Sequence, residues 1–186
     1  MRLAVLSDIH DNVWKLDAAL AAVADTDALI CCGDLCSPFV VHQIGKAYAK
    51  PVHIVFGNND GDHFRITANA ARYAQVRLHG EIFTAEFGGR RIAVNHFDAI
   101  ARPIVDSGRF DAVCFGHNHR FEIKRHGATL AINPGAIMGA AFGADGTREE
   151  VASTFAVYDT ESGEAQGYEV TAELRVVQYR GVQYLP

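Results

Sequence analysis

Short apolar runs rich in Val and Ile alternate with longer helix-like segments through the first part of the chain. The runs that predict strands are Arg2–Leu6, Ala28–Cys32 and Val52–Phe56. The segments that predict helices are Val13–Ala24, part of Pro38–Ala49 and the region near His63–Ala74. Parallel neighbouring strands need crossover connections, which helices usually supply. The alternation of strands and helices therefore predicts a mostly parallel sheet.

The second half of the chain predicts shorter connections. Gly88 and Gly89 indicate a hairpin turn between strands at Glu81–Phe87 and Arg91–Asn95. A helix is predicted over Ala99–Ser107, and the remaining predicted strands are Ala112–Phe115, Phe121–Arg125, Ala128–Ile132, Thr154–Asp159, Ala165–Val170 and Glu173–Tyr179. Small and polar residues without a period predict a loop over Gly139–Glu150. No repeat or linker divides the sequence, so we expect a single α/β domain over residues 1–186 with two sheets.

Charge and hydrophobicity exclude several classes of protein. The 186 residues include 17 Lys and Arg against 22 Asp and Glu, which gives a formal net charge of −5. A general nucleic-acid or anionic-membrane binder normally has a basic excess. No stretch approaches the roughly 20 apolar residues of a membrane span, and the N-terminus has no signal-like apolar region. We expect a cytoplasmic protein whose 4 cysteines are reduced.

Five short polar clusters each follow directly after a predicted strand. They are Asp8-Ile9-His10, Gly33-Asp34, Gly57-Asn58-Asn59-Asp60, Asn95-His96 and Gly116-His117-Asn118-His119. In open α/β sheets, ligands bind at the carboxyl ends of the parallel strands. Each cluster alone has an ordinary structural interpretation, such as a helix cap, a turn or a partly buried histidine. Five such clusters at successive strand ends are improbable by accident, so we interpret them together as a metal site.

The residue types in these clusters indicate the kind of metal. Imidazole binds Zn, Fe, Ni and Mn, whereas carboxylate and amide oxygens favour harder ions such as Mn. A mixed set without thiolate therefore indicates a transition-metal pair rather than a structural zinc. Asp8 and His10 are two residues apart, as are His117 and His119, and such pairs share a face at a strand end. Asp34 is the natural bridge, because a carboxylate can give one oxygen to each ion.

The ordered set of motifs resembles the calcineurin-like metallophosphoesterases. The motifs are Asp8-x-His10, Gly33-Asp34, Gly57-Asn58-x-Asp60, His96 and Gly116-His117-x-His119. The short chain and the later Asn133-Pro134-Gly135 are similar to the small prokaryotic phosphodiesterase branch of that superfamily. The resemblance extends over roughly Met1 to Asp159, nearly the whole chain.

This resemblance implies a four-layer α/β sandwich in which two mixed β-sheets are flanked by helices. It also implies two divalent transition-metal ions, with Mn expected and Fe, Ni or Zn as alternatives. The ligands of the first ion would be Asp8, His10, Asp34 and His119. Those of the second ion would be Asp34, Asn58, His96 and His117. In such two-metal sites, a hydroxide that bridges the ions attacks the phosphoester in line.

Three positions depart from the family pattern. Asn59 stands where many superfamily phosphatases have a histidine that assists the leaving group, which favours phosphodiesters or activated esters. Asp11 stands where the family usually has glycine, and we expect it to cap the following helix. Phe97 also stands where a glycine is frequent, and it either packs against the core or stacks on a substrate ring.

Several further residues have expected roles around the metals. Asp60 and Asn59 are the candidate catalytic residues, and Asp60 is expected to orient a ligand or a water. Asn12 and Asn59 are the candidates for substrate contact. Cys36 follows Asp34 by two residues and is either a small buried hydrophobe or a soft, oxidation-sensitive group.

The sequence therefore predicts a metal-dependent phosphoric ester hydrolase, with a small phosphodiester as the expected substrate. The first alternative is a phosphomonoesterase. The second is a non-catalytic scaffold of the same fold, like the retromer subunit that resembles this family but has lost several ligands. All seven predicted ligands are present here. Nucleic acid is not an expected partner, because the nucleases of the superfamily usually carry extra domains. Small relatives are often homo-oligomers, and no residue of this sequence demonstrates that state.

Overall fold

A seven-stranded mixed sheet forms the first half of the sandwich. The computed structural model describes residues 1–179 and residue 181, so residue 180 and residues 182–186 of the predicted domain lie outside the described part. The strands of this sheet are β1 (Arg2–Leu6), β2 (Ala28–Cys31), β3 (Val52–Ile54), β4 (Val76–Leu78), β12 (Thr154–Asp159), β13 (Glu164–Val170) and β14 (Val176–Gln178). Their order is β14-β13-β12-β1-β2-β3-β4. The first four strands are parallel, and β12 to β14 are antiparallel, as predicted for the closing strands.

The second sheet has five strands and is also mixed. They are β5 (Ile82–Phe87), β6 (Arg90–Asn95), β7 (Ala112–Cys114), β8 (Glu122–His126) and β9 (Thr129–Asn133). The order is β5-β6-β7-β9-β8, with parallel pairing in the centre and one antiparallel strand at each edge. The hairpin predicted from Gly88 and Gly89 is present as β5 and β6, and the other edge strand, β8, also pairs with its neighbour in sequence.

Four helices in the described part of the chain cover the outer faces of the two sheets. They are α1 (Val13–Ala22), α2 (Pro38–Ala47), α3 (His63–Ala70) and α4 (Asp98–Asp106), and the first three end two to four residues before the predicted ends. In the described part of the chain, no helix is long and apolar enough to cross a membrane.

Three separate apolar cores confirm the four-layer arrangement. The alternation along β1 shows how they form, since Ala4 and Leu6 pack with α1 to α3 whereas Leu3 and Val5 face the second sheet. The middle core joins both sheets and includes Ile30 and Ile92. The third core lies between α4 and the outer face of the second sheet. The fold predicted for the chain is therefore correct.

Two elements differ from the sequence prediction. The segment Gly139–Glu150, predicted as a loop, contains a two-stranded ribbon of β10 (Ala140–Phe142) and β11 (Arg148–Glu150). Each of its strands has only three residues, so no alternation of apolar and polar residues develops. The ribbon closes through a turn in which the N–H of Gly143 donates to the carbonyl of Thr147 at 2.9 Å. The edge strand β4 was not predicted, and it is equally short.

Candidate metal centre

The loops that follow β1, β2, β3, β6 and β7 meet at one edge of the sandwich, so both sheets contribute to the site. The N–H of Asp8 donates to the carbonyl of Gly33 at 3.1 Å, and that of His10 donates to the carbonyl of Asp34 at 3.1 Å. In the second sheet, the N–H of Gly116 donates to the carbonyl of His96 at 2.9 Å. These bonds join four of the five predicted clusters in two pairs, where parallel strands end.

Five of the predicted ligands have left-handed backbone conformations. The φ angles are 51° for Asp8, 42° for His10, 55° for Asp34, 72° for His117 and 59° for His119. Non-glycine residues rarely adopt this region, and each instance costs of the order of 1–3 kcal/mol, which the surrounding structure must compensate. Such strain concentrates at functional sites, and here it turns the side chains of consecutive loops toward one point.

The first ligand group is Asp8, His10, Asp34 and His119. One ligand atom from each residue lies within 4.8 Å of the others. The Nε2 atoms of His10 and His119 are 3.2 Å apart, and Oδ1 of Asp8 is 3.2 Å from Nε2 of His119. The sequence predicted these four residues as the ligands of one ion, and the structure brings them together.

The second ligand group is centred on the amide of Asn58. Its Oδ1 is 3.1 Å from Nε2 of His96 and 2.9 Å from Nδ1 of His117. Nε2 of His96 is also 3.4 Å from Oδ2 of Asp34. Asn58 and His117 are exposed, whereas His96 is buried, so this side of the cluster opens to solvent.

The first group has the chemistry of a cation site. Oδ1 of Asp8 is buried and has no aligned hydrogen-bond donor among the described residues. Burial raises the pKa of Asp8, but its interactions with His10 and His119 outweigh burial and hold the pKa well below the usual range. A buried carboxylate oxygen facing imidazole nitrogens without a matched donor fits a metal ion, since ligands must offer lone pairs.

Charge in the site also favours a cation. Burial lowers the pKa of His96 and His119, but the carboxylates of Asp34 and Asp8 raise it, and the net pKa of both imidazoles is above the ordinary value. The two carboxylates therefore attract positive charge to the position between these rings.

Backbone carbonyls orient two of the imidazoles. Nδ1 of His96 is 2.7 Å from the carbonyl of Cys32, and Nδ1 of His119 is 2.6 Å from the carbonyl of Ala140. A carbonyl only accepts, so each Nδ1 carries the proton, and Nε2 presents its lone pair to the cluster. Ala140 belongs to the ribbon that was predicted as a loop, and a backbone acceptor leaves no signal in the residue types.

Cys36 supports the third imidazole. Its Sγ lies 3.3 Å from Nδ1 of His10, on the side of the ring away from the cluster. Burial and the nearby carboxylates of Asp34 and Asp11 raise the pKa of Cys36 to about 12. The sulfur is therefore a protonated thiol at neutral pH.

Asp60 is joined to the backbone of the Asp34 loop. Its Oδ1 accepts the N–H groups of Leu35 and Cys36 at 2.8 Å and 3.0 Å. Its Oδ2 accepts those of Asp34 and Gly57 at 3.0 Å and 2.7 Å. The carboxylate is 5% exposed and thus holds two of the strand-end loops in register.

The other predicted site residues surround this cluster. Asn59 donates from its backbone N–H to Oδ1 of Asp34 and from Nδ2 to Oδ2 of Asp34, each at 2.8 Å. Asn12 caps α1, since its Oδ1 accepts the N–H of Lys15 at 3.3 Å. Phe97 is half-buried, and its ring centroid is 5.1 Å from those of His96 and His117.

The predicted cap by Asp11 is wrong. Its carboxylate instead accepts the backbone N–H of Ser37 at 2.9 Å and the hydroxyl of Ser37 at 2.7 Å. Asn12 is one residue nearer to the helix and can reach the N–H three positions ahead. Asp11 therefore connects the loop after β1 to the start of α2.

Asn133 is a positioning residue whose role the sequence analysis did not predict. Nδ2 of this buried side chain donates to the carbonyl of Gly116 at 3.1 Å and to Oδ1 of Asn118 at 2.9 Å. It therefore fixes the loop that carries His117 and His119. The sequence signal was its place in Asn133-Pro134-Gly135, directly after a predicted strand.

Glycine is required where two loops approach each other closely. A Cβ at Gly57 would lie 2.2 Å from Oδ1 of Asp34, and a Cβ at Gly116 would lie 2.0 Å from Oγ of Ser7 and 2.5 Å from Oδ2 of Asp8. Any side chain there would displace a predicted ligand.

Known proteins match this chain over most of its length. The sequence profile of the calcineurin-like phosphoesterase superfamily domain matches residues 1–163. A phosphodiesterase of Methanocaldococcus jannaschii is 24% identical over 143 residues, which are 75% of this chain and 86% of the relative.

Solved structures share the fold. An archaeal phosphodiesterase superimposes with a TM-score of 0.77 at 22% identity, over 96% of this chain and 100% of the other. Vacuolar protein sorting 29 from Cryptosporidium parvum gives a TM-score of 0.68 at 17% identity, over 96% of each chain. A zinc complex of the Entamoeba histolytica counterpart gives 0.65 at 18% identity, over 96% of this chain and 98% of that one. Because the profile spans most of the sequence, the chain belongs to the calcineurin-like phosphoesterase superfamily and is a metal-dependent phosphoric ester hydrolase of that family.

Proposed function

We propose that the protein is a phosphodiesterase that uses two divalent metal ions to hydrolyse small phosphodiesters. The observation that carries the proposal is the position of Asp34, whose Oδ2 is 3.4 Å from Nε2 of both His10 and His96. This carboxylate is thus placed to serve both ligand groups. When bound, two divalent ions neutralise charge on the phosphoryl oxygens and lower the pKa of the attacking water.

The residues of the chain divide into two kinds in this proposal. Seven side chains hold the ions, namely Asp8, His10, Asp34 and His119 for one and Asp34, Asn58, His96 and His117 for the other. Asp60 is a positioning residue, because its four backbone hydrogen bonds leave its carboxylate engaged with the loops. Asn12 and Asn59 remain the candidates for substrate contact, and Asn59 also hydrogen-bonds the bridging carboxylate.

Preference for diesters rests on Asn59. A general acid that protonates the leaving oxygen typically contributes about 10²–10⁴ in rate, and an amide cannot supply a proton in this way. Monoesters with poor leaving groups depend most on this help. A phosphomonoesterase is therefore the second candidate, restricted to activated esters.

A scaffold role is supported less well. The similarity to vacuolar protein sorting 29 concerns the fold. The zinc complex of the Entamoeba histolytica counterpart indicates that such a neighbour can bind metal. In this chain, both ligand groups are present and close together, which favours catalysis.

Several properties complete the proposal. We propose manganese as the native ion, since three of the seven proposed ligands are oxygen donors that favour harder ions; the four imidazoles make Fe, Ni or Zn the alternatives. We also propose a cytoplasmic protein in which residues 1–186 form a single domain. A small phosphoester is the proposed partner, and assembly into a homo-oligomer remains an expectation.

The test is hydrolysis of bis-p-nitrophenyl phosphate beside p-nitrophenyl phosphate after the protein is stripped and reloaded with Mn, Ni or Zn. The control variants are Asp34→Ala and His117→Ala. Metal-dependent diester turnover that both substitutions abolish would support the proposal. If the monoester is hydrolysed faster than the diester, the protein is a phosphomonoesterase. Metal binding without turnover of either substrate would favour the scaffold.

A further inference from the structure

The ribbon of β10 and β11 borders the proposed centre and belongs to it structurally. The carbonyl of Ala140 accepts from Nδ1 of His119 at 2.6 Å. An ion pair between Arg120 and Glu149 at 3.0 Å ties β11 to the loop that carries the ligand histidines. Both strands of the ribbon therefore contact the loop that carries His117 and His119.

Phe142 is the residue of this ribbon that faces the centre. It shares a face of β10 with Ala140, because the two are two residues apart on one strand. Ala140 is fully buried, whereas Phe142 is 56% exposed. The Phe142 ring meets the His119 ring edge-on, with the centroids 6.3 Å apart and the planes at 75°.

The contact with His119 distinguishes Phe142 from the other exposed apolar side chains. Single exposed hydrophobic residues are ordinary on protein surfaces. Among the large exposed hydrophobic residues of the described chain, Phe142 alone has a ring contact with a predicted ligand histidine. An exposed aromatic side chain thus stands beside a ligand histidine of the proposed centre.

The charges on the ribbon indicate what this surface does not recognise. Arg148 pairs with Glu150 at 2.9 Å, and Arg120 pairs with Glu149. Both cations of this region are thus neutralised by carboxylates, so the ribbon offers little attraction for a second phosphate. An apolar ring beside neutralised cations favours a neutral, flat group instead.

We infer that Phe142 is a specificity-determining residue and that the site takes phosphoesters in which one ester group carries a planar aromatic ring. This inference rests on the proposed function, since it names the substrate class of the same centre. The ring of the substrate stacks on Phe142, with an aryl group or a nucleobase as its two sources. Stacking of a base on an aromatic side chain typically changes affinity about ten-fold or more.

The test measures binding by calorimetry on the full-length protein loaded with manganese, so it does not depend on turnover. Phenylphosphonate and methylphosphonate form the aryl pair. Thymidine 5′-phosphate and deoxyribose 5-phosphate form the nucleobase pair. We expect the ring-bearing member of at least one pair to bind about ten-fold more tightly. Phe142→Ala should remove most of that difference, whereas Phe142→Tyr should retain it.

Phe39 provides a matched control. It is 51% exposed on α2, and it has no ring contact with a predicted ligand histidine within the described residues. Phe39→Ala should leave the ratio of affinities unchanged. If neither pair shows a preference for the ring, or if Phe142→Ala keeps the preference, the inference is overturned. A Phe142-dependent preference without any diester turnover would retain the inference on ligand class and refute the proposed activity.

Discussion

Oδ2 of Asp34 lies at the same distance, 3.4 Å, from Nε2 of His10 and from Nε2 of His96. His10 follows a strand of the first sheet, and His96 follows a strand of the second. The carboxylate therefore lies between proposed ligands that come from two different sheets. Burial raises the pKa of Asp34, but the hydrogen bond and charge of His96, together with the hydrogen bonds from Asn59, outweigh burial and hold the pKa below its ordinary value. Asp34 is thus an anion at neutral pH, as a bridge between cations requires.

Asp34→Asn should abolish binding of both metal ions. The substitution keeps the shape of the side chain but removes the charge and one acceptor oxygen. By contrast, His117→Ala should remove only the ion of the second group, because His117 belongs to the Asn58 side of the cluster. Equilibrium dialysis against Mn followed by elemental analysis gives the number of ions per chain. Two ions retained by Asp34→Asn would contradict the bridging role.

Asp60→Asn should destabilise the fold and weaken metal binding together. An amide offers one acceptor oxygen and turns an N–H₂ group toward two of the four backbone donors that Asp60 now accepts. Loss of charged, buried hydrogen bonds predicts a decrease of about 3 kcal/mol in the free energy of unfolding. Urea denaturation of the metal-free protein measures this decrease.

Asp62→Asn is the control for that experiment. Asp62 is in the same loop and caps α3 through the N–H of Arg65 at 2.9 Å. Asparagine is as good an N-cap as aspartate, so the change should stay within about 0.5 kcal/mol. If the two substitutions lower the free energy of unfolding equally, the cause is the loss of negative charge from the loop. The four hydrogen bonds that Asp60 accepts would then not explain the decrease.

The meeting of the proposed ligands at one edge of the sandwich could be predicted because it follows from topology. Parallel strands send their carboxyl ends to one edge, so polar residues that follow successive strands must meet there. Asp8 and His119, which are far apart in sequence, come within 3.2 Å for this reason. The strands themselves could be predicted because Val- and Ile-rich runs between helices fit buried parallel strands.

What could not be predicted depends on backbone groups and on short elements. The carbonyl of Ala140 orients His119, but a carbonyl is present in every residue and gives no pattern. The ribbon around Phe142 has strands of three residues, which is too short for a period to appear. Asp11 was predicted to cap α1, but Asn12 is the cap. This shift of one residue is as small as the usual disagreement about where a helix starts.

Cys36→Ala should weaken metal binding in the first ligand group. The sulfur is 3.3 Å from Nδ1 of His10, and removing it leaves that nitrogen without the partner which fixes the ring. Substitution of such partners typically costs 10–100-fold in metal affinity, and we expect about ten-fold. Cys36→Ser should recover much of the affinity, because a hydroxyl oxygen can accept the same N–H.

Both variants have a Cβ, so the backbone strain at φ 73° is common to them and cancels in the comparison. Competition with a fluorescent chelator measures the dissociation constant of the tighter ion. Equal affinities for the alanine and serine variants would show that the contact with His10 does not matter.

Because the pKa of the thiol is about 12, iodoacetamide should also alkylate Cys36 slowly at pH 8.

Acid should destabilise the protein through His53, a partly buried residue of β3. Nδ1 of His53 is 2.9 Å from Nε2 of His79, and its ring stacks with those of His79 and Phe83. Burial, then His79 and Arg77, lower the pKa of His53 to about 4. Burial and Arg77 also lower the pKa of His79.

The sign of the effect follows from which state binds the proton. Between about pH 6.5 and pH 4, an unfolded His53 is protonated and the folded one is not. The free energy of unfolding is therefore highest above pH 6.5 and decreases as the pH falls through this window. Because His53 is partly exposed, we expect a loss of about 1 kcal/mol from this residue between pH 7.5 and pH 5.

His53→Gln removes the titration and keeps a side chain that can hydrogen-bond to His79. Urea denaturation of the wild type and the variant at pH 7.5 and pH 5 gives the four free energies required. The wild type should lose more stability than the variant on acidification, since only the wild type has to keep this imidazole neutral. A variant that loses as much as the wild type would show that His53 does not cause the acid sensitivity, and the same comparison with His79→Gln would then test its partner.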